Sequence, residues 1–398
     1  MKKQDNAPRK LQLPQLTRGR IMSIAVSLLV LILLVGFGVY LNTPDEDDVP
    51  TSVSQMSFAV ARVNDVLMDN AEPDDWTEGR RLGTQLLELE ICSGEHKGEF
   101  LETYNYLNAY TNLDARENTR LIVRLDYDDD GSLYVVSIFN YDRWQVVGLF
   151  VLVFALVMIL VGGRKGVKAL LGLLFTLACV WFLLLPMMLR GVSPVPATVA
   201  IIALTTAASL LLLDGPTSKT LCATLGCVGG VAVAGISAAI VGTLTPLNGF
   251  NTDNAEALVL QASDGGLHIS GLLVCGILIS SMGAVMDVAM AIASSLHELH
   301  THNPELSPLG LFRSGMNIGR DAMGTMANTL ILAFAGSSLN TLLLFQVYDY
   351  PAIQLLNSDL LSLELLQGIA GSMGIILTVP IVAVLSGYIM GRKRKGKN

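Results

Sequence analysis

Eight runs of about 20 predominantly apolar residues recur along this chain, each long enough to cross the hydrocarbon core of a bilayer. They fall near Ile21–Leu41, Trp144–Gly163, Ala169–Leu189, Pro196–Leu213, Leu221–Leu244, His268–Ala293, Ala322–Gln346 and Leu365–Met390. No water is present in lipid to satisfy backbone N–H and C=O groups, so such runs must fold as helices. The composition agrees: 52% of the 398 residues are hydrophobic, 15% are charged, and mean hydropathy is +0.53. A soluble globular protein is excluded and an α-helical polytopic membrane protein is expected, with the lipid bilayer as its first partner.

Charge orients the spans. An even number puts both termini on one side, and most of the 26 Lys and Arg residues stand in the segments of that side, including both ends of the chain. The positive-inside rule makes those segments cytoplasmic. Residues 1–20 then read as a cytoplasmic basic arm, 21–41 as an uncleaved signal-anchor helix, 144–391 as a seven-helix membrane domain and 392–398 as a cytoplasmic basic tail.

The long loop of residues 42–143 carries 22 acidic and 8 basic side chains, so the chain is acidic outside and basic inside. That acidity keeps an outer domain soluble. Five stretches there show strand composition and alternation: Phe58–Met68, Leu82–Cys92, Glu99–Tyr106, Arg120–Tyr127 and Leu133–Asn140. A small extracytoplasmic β-rich domain, an OB-like barrel or a sandwich, is expected. The run Asp126, Asp128, Asp129, Asp130 before Gly131 lacks the glutamate that an EF-hand needs at its twelfth position and reads as a hairpin turn. Cys179, Cys222, Cys227 and Cys275 fall inside apolar runs, Cys92 is alone outside, and no CxxC occurs.

The stretch Gly283–Gly336 concentrates the polar chemistry. Asp287 stands inside one apolar run, and a carboxylate there is expensive enough to mark a functional site. Helical spacing gathers Gly276, Ser280, Gly283, Ala284, Ala291 and Ser294 on its face, small residues that let another helix approach. Downstream, Arg313, Asn317, Asp321, Thr325 and Asn328 recur every three or four residues as a polar stripe. A helix over Leu309–Gln346 would be about 57 Å long, too long for one crossing. The first part is therefore expected as an amphipathic cytoplasmic segment, bent near Gly315 or Gly319, with the span rising from Asp321. On that geometry Asp287, Thr325, Asn328 and Thr329 line a polar cavity with Asp321 and Arg320 at its inner mouth, a setting for reversible protonation coupled to transport. His297, His300 and His302 in HELHTH offer a weaker metal-ligand set, since the spacing is HExH rather than HExxH. No nucleotide-binding loop and no nucleophile–base pair is evident, so no cofactor, no nucleic-acid partner and no enzymatic activity are expected.

Two phrases, SSMGAVMDVAMAIASSLHEL and SGMNIGRDAMGTMANTLILAFAGSSL, resemble the YibE/F-like family of bacterial multi-pass membrane proteins. The resemblance implies a plasma-membrane location and covers the chain beyond the basic arm, but supplies no site residues. A weaker likeness, carried by GxxxD in one helix followed by a Gly- and Thr-containing helix, is to half of a resistance-nodulation-division or SecD/SecF-type unit. It implies use of the proton gradient through Asp287. The leading expectation is a secondary transporter or permease for a small solute or ion. The alternative is a non-enzymatic assembly or sensing protein whose outer domain binds a partner, either another membrane protein or a second copy of the chain.

Overall fold

The computed structural model describes residues 34–43, 56–128, 130–251, 255–262 and 266–391. The basic arm, most of the first span, the acidic linker, Asp129 and the basic tail lie outside the described residues. The chain divides into two compact units, Pro44–Val161 and a second formed by Met1–Thr43 with Gly162–Asn398.

The first unit is a β half-barrel. Its strands are β1 (Met56–Asp69), β2 (Glu72–Asp74), β3 (Arg80–Ile91), β4 (Phe100–Leu107), β5 (Arg120–Tyr127) and β6 (Leu133–Tyr141). All pairings are antiparallel, in the order β2-β3-β1-β5-β6 with β4 on the other part of β3. β1 does double duty: its first half pairs with β5 and its second half with β3, helped by irregularities at Val63/Asp65 and Val66/Met68 that bend it. The inward residues Ala61, Val63, Leu87, Leu89, Ile91, Leu121, Val123 and Leu125 make the core. The outer edges of β4 and β6 have no ladder between them; the Thr103 hydroxyl instead donates to Val136 O at 2.6 Å. The expected aspartate hairpin turn joins β5 to β6, with Asp128 N–H donating to Ser132 O and Gly131 at φ 76°. β2 has no sequence signal, being three residues with a proline at its centre.

The helices are α1 (34–42), α2 (Trp144–Cys179), α3 (Leu185–Leu189), α4 (Pro194–Asp214), α5 (Ser218–Leu244), α6 (Ala255–Ala262), α7 (Leu272–His302), α8 (Pro308–Ser337), α9 (Leu339–Val347), α10 (Ala352–Leu356) and α11 (Asp359–Met390). Five helical runs among the described residues are long and apolar enough to cross a membrane, or six if α8 and α9 are counted together. Within the run Trp144–Leu189 two helices meet at a kink at Gly163, at φ 53° and ψ −132°. A conformation of that sign is one glycine adopts without strain.

Farther along this run, Val180–Leu184 widens into a π-helical turn just before Pro186. A proline has no N–H to offer the carbonyl four residues back, here Phe182. The orphaned acceptor is taken by Asn42, whose amide donates to Phe182 O at 2.9 Å. Arg190 completes the attachment of α1, stacking over Tyr40 at 5.0 Å and donating to Tyr40 O and Thr43 O at 3.0 Å each.

The packed centre is built from α5, α7, α8 and α11. The GxxxG pair in α5 does what small residues do in lipid: Gly226 lies against Val382 and Gly230 against Thr378 and the Gly374 carbonyl, leaving no room for a Cβ. Gly374 in turn approaches the Gly230 carbonyl. Such backbone contact supplies dispersion where hydrophobic exclusion cannot act. Helix ends are capped locally, α5 by Thr217 accepting from Thr220 N and α8 by Ser307 accepting from Gly310 N ahead of Pro308. The C-terminus of α4 is held by cations, Lys168 on Leu213 O and Lys219 on Asp214, matching the negative end of the helix dipole.

Candidate functional site

Asp287 occupies the midpoint of α7, 15 residues, or about 22 Å, from either end. The face of α7 that packs into the bundle is formed by Leu278, Val285, Val288, Ala289, Ile292 and Leu296. Asp287 points the other way and is exposed, in line with Gly276, Ser280, Gly283 and Ala291. A Cβ added at Gly276 or Gly283 would meet nothing within 4 Å. The small residues expected beside Asp287 are thus present on its face, but among the described residues no helix fills the space they leave.

α8 differs from expectation. It is unbroken from Pro308 to Ser337, and Gly315 and Gly319 are buried contact points rather than bends. Gly315 sits on Leu296 and Ala383, and Gly319 on Val379. Both glycines are spaced four apart on the face that must touch α11, and close approach, not flexibility, explains them. Because Gly387 meets Pro308, Gly319 meets Val379 and Gly371 meets Leu330, α8 runs antiparallel to α11 along its whole length. The first half is therefore continuous with the second and packed along α11, rather than a separate segment set off by a bend at the glycines. The bend expected at the glycines comes instead at Ser338, where α8 and α9 diverge by 60°.

This placement lifts Asp321 from the expected inner mouth to near the middle of α8, about 20 Å from Pro308. Asn317, Asp321, Thr325 and Asn328 form an exposed ladder along α8, with Arg320 and Thr329 exposed on its flanks. The Thr325 hydroxyl donates to Asp321 O at 3.2 Å and the Thr329 hydroxyl to Thr325 O at 2.8 Å, so both threonines satisfy their protons within the helix. Among the described residues no hydrogen bond or ion pair joins Asp287 to this ladder. Asp287, Thr325, Asn328 and Thr329 therefore stand exposed on surfaces turned from the packed core. The reason is geometric: α7 packs its apolar face and α8 its Gly315 and Gly319 face into the bundle, which rotates the polar faces outward.

The three histidines are at the far end of α7, with His297 and His302 exposed and His300 partly buried. Among the described residues no group of three or more His, Cys, Asp or Glu side chains comes close enough to hold a metal ion. Positions 297 and 300 share a face at i and i+3, but 302 lies about 140° around the helix from 297, so the three do not converge.

A second polar location went unread in the sequence. Ser337, Ser338, Thr341, Glu364 and Gln367 surround a cavity of about 440 Å³ between the α8–α9 bend and the start of α11. Glu364 lies one residue before the eighth apolar run, so a window that begins at Leu365 assigns it to the outer loop; α11 in fact starts at Asp359.

A family model described as YibE/F-like protein matches residues 150–392. No curated protein and no solved structure matches the chain. The likeness to resistance-nodulation-division units therefore rests on its motif alone. The matched range is narrower than the sequence phrases imply, since all six strands precede it. It does take in every helix from α3 to α11, both polar faces and the cavity at Glu364, and on that match the chain belongs to the YibE/F-like family of membrane proteins.

Proposed function

We propose that the helical unit is a secondary transporter or permease for a small solute or ion, coupled to an ion or proton through membrane-embedded carboxylates. One observation carries this reading: α8 is continuous alongside α11, which aligns Asn317, Asp321, Thr325 and Asn328 as an exposed polar ladder about 16 Å long. Asp287 lies at a similar depth on α7. A charged group facing hydrocarbon costs about 3 kcal/mol at a helix centre even on the mildest scale, so the faces that carry Asp287 on α7 and Asp321 on α8 are hydrated or covered surfaces. Both termini are placed in the cytoplasm of a bacterial cell, and the β unit outside the plasma membrane.

The test is proton movement into proteoliposomes driven by a potassium diffusion potential and followed with a pH-sensitive dye. Asp287→Asn and Asp321→Asn are expected to reduce the rate to that of empty vesicles while the variants elute and melt like wild type. Wild-type vesicles no leakier than empty ones, or variants as active as wild type, would remove the reading.

A second reading has its own support. Phe100, Tyr104, Tyr106 and Tyr134 are exposed on β4 and β6, beside a groove of about 450 Å³ at the unladdered seam. Exposed aromatic residues at open strand edges suit recognition of an extended partner segment. In that case the β unit is the recognition module of an assembly protein, and the open α7 face is where a second copy of the chain packs.

A further inference from the structure

The cavity at the α8–α9 bend has a composition that its surroundings do not account for. Its lining contains Ser337, Ser338, Thr341, Glu364 and Gln367, with Leu360 and Leu363 as its apolar wall. No Lys, Arg or His contributes to it. The Glu364 Oε2 atom is buried and has no hydrogen-bond partner. Ser338 is 8% exposed, and among the described residues its hydroxyl makes no hydrogen bond. The Ser337 hydroxyl donates its proton to Phe334 O at 2.7 Å, which leaves its lone pairs free. Leaving buried polar atoms unmatched costs about 1–3 kcal/mol each, more for a charged one. That buried Glu364 oxygen, on the wall of a cavity whose neighbouring hydroxyls have lone pairs to spare, indicates something that belongs inside it.

What would satisfy them is set by the donors. They are a single carboxylate, three hydroxyl oxygens and one amide oxygen, a hard, oxygen-rich set with one negative charge. Divalent cations draw on several carboxylates or phosphates, and anions would meet Glu364 unpaired. The bend adds to this, because the carbonyl-bearing end of α8 points its negative dipole toward the same region. Interrupted helices present such ends to cations in other membrane settings. The volume exceeds that of a bare ion and admits a partly hydrated ion or a small alkylammonium group.

We propose that the Glu364 cavity is a monovalent-cation site, in which Glu364 supplies the neutralising charge and Ser337, Ser338, Thr341 and Gln367 supply neutral oxygens. An alkali ion and a primary ammonium group share the required chemistry. The site is separate from Asp287 and the α8 ladder, and binding is measured without flux, so it stands or falls independently of the transport reading.

The experiment is equilibrium binding of radioactive sodium to the purified full chain in lipid nanodiscs, with choline holding ionic strength constant. Saturable binding is expected, and Glu364→Gln should weaken it by about tenfold or more because it removes the only charge among the ligands. Thr341→Val is expected to weaken it by a few-fold and gives a reading even if the Glu364 variant fails to fold. Methylammonium competing at lower concentration than sodium would assign the site to organic ammonium groups; sodium binding indifferent to methylammonium would assign it to alkali ions. No saturable binding of either cation, or binding unchanged in both variants, would overturn the proposal and leave a hydrated cavity with no dedicated occupant.

Discussion

Asp69 shows how one residue's surroundings become a property of a domain. Arg81 donates to Asp69 Oδ1 at 2.6 Å and to Asp114 Oδ1 at 2.9 Å, while the buried Gln85 amide donates to the Ala115 carbonyl and Asn105 to Gln85 Oε1 and Leu113 O. The hydrogen bond from Arg81, with lesser help from Ala71 N–H and Gln85, holds the Asp69 carboxyl below the usual aspartate range. A carboxylate with a lower pKa folded than unfolded stabilises the fold fully above its unfolded value of about 3.9, and that contribution is lost as pH falls through the lower folded value. Asp69→Asn should therefore weaken the β unit at pH 7 and flatten its acid dependence below about pH 4. Near-UV circular dichroism during acid titration of the two proteins checks this; identical acid midpoints would contradict it. None of this network was legible from the sequence, because hydrogen bonds between β3, β4 and the loop before β5 depend on register, which alternation alone does not specify. Asp287, by contrast, was legible as an anomaly from hydropathy, yet the direction it faces was not. Its orientation depends on which side of α7 the glycines of α5 and α11 leave for packing.

At the scale of elements, the five main strands were read to within two or three residues because β alternation and glycine turns both mark them. The α8 reading failed for a reason of the same kind. Gly315 and Gly319 were taken as flexible points, but their role is set by the neighbour they touch, which sequence periodicity does not reveal. Glycines at contacts and glycines at open faces should respond oppositely to a methyl group. Gly230→Ala puts a Cβ onto Thr378 Oγ1, whose own hydrogen bond to Gly374 O at 2.7 Å limits its escape. A cost of about 1–3 kcal/mol is expected from such overpacking. Gly276→Ala adds its methyl to empty space and relieves a helix-interior glycine, so it should be neutral or stabilising by up to about 1 kcal/mol. Thermal unfolding of the two variants in one detergent gives the comparison; a Gly230 variant as stable as wild type would mean that α5 and α11 pack more loosely than described.

For the whole molecule, the sequence separates an acidic β unit from a helical unit correctly, because their composition, charge and period all change together near Trp144. The number of crossings was less legible, since a serine rather than a glycine bends the α8–α9 pair, which reaches the length and apolarity of a span only when the two are counted together. The open face of α7 bears on assembly. If a second copy covers it, Ser280→Cys should give a disulfide-linked dimer on mild oxidation in native membranes, whereas Leu332→Cys, exposed on α8 one turn beyond Asn328, should not. Monomer alone from both variants would assign the face to water and count against the assembly reading. The attachment of α1 has a different consequence. The carbonyl left vacant by Pro186 accepts from an amide 140 positions upstream, and Arg190 grips the same strand of backbone. The leading helix is thus keyed into one register by polar chemistry, and a foreign anchor of equal greasiness would insert yet leave that lock without its key.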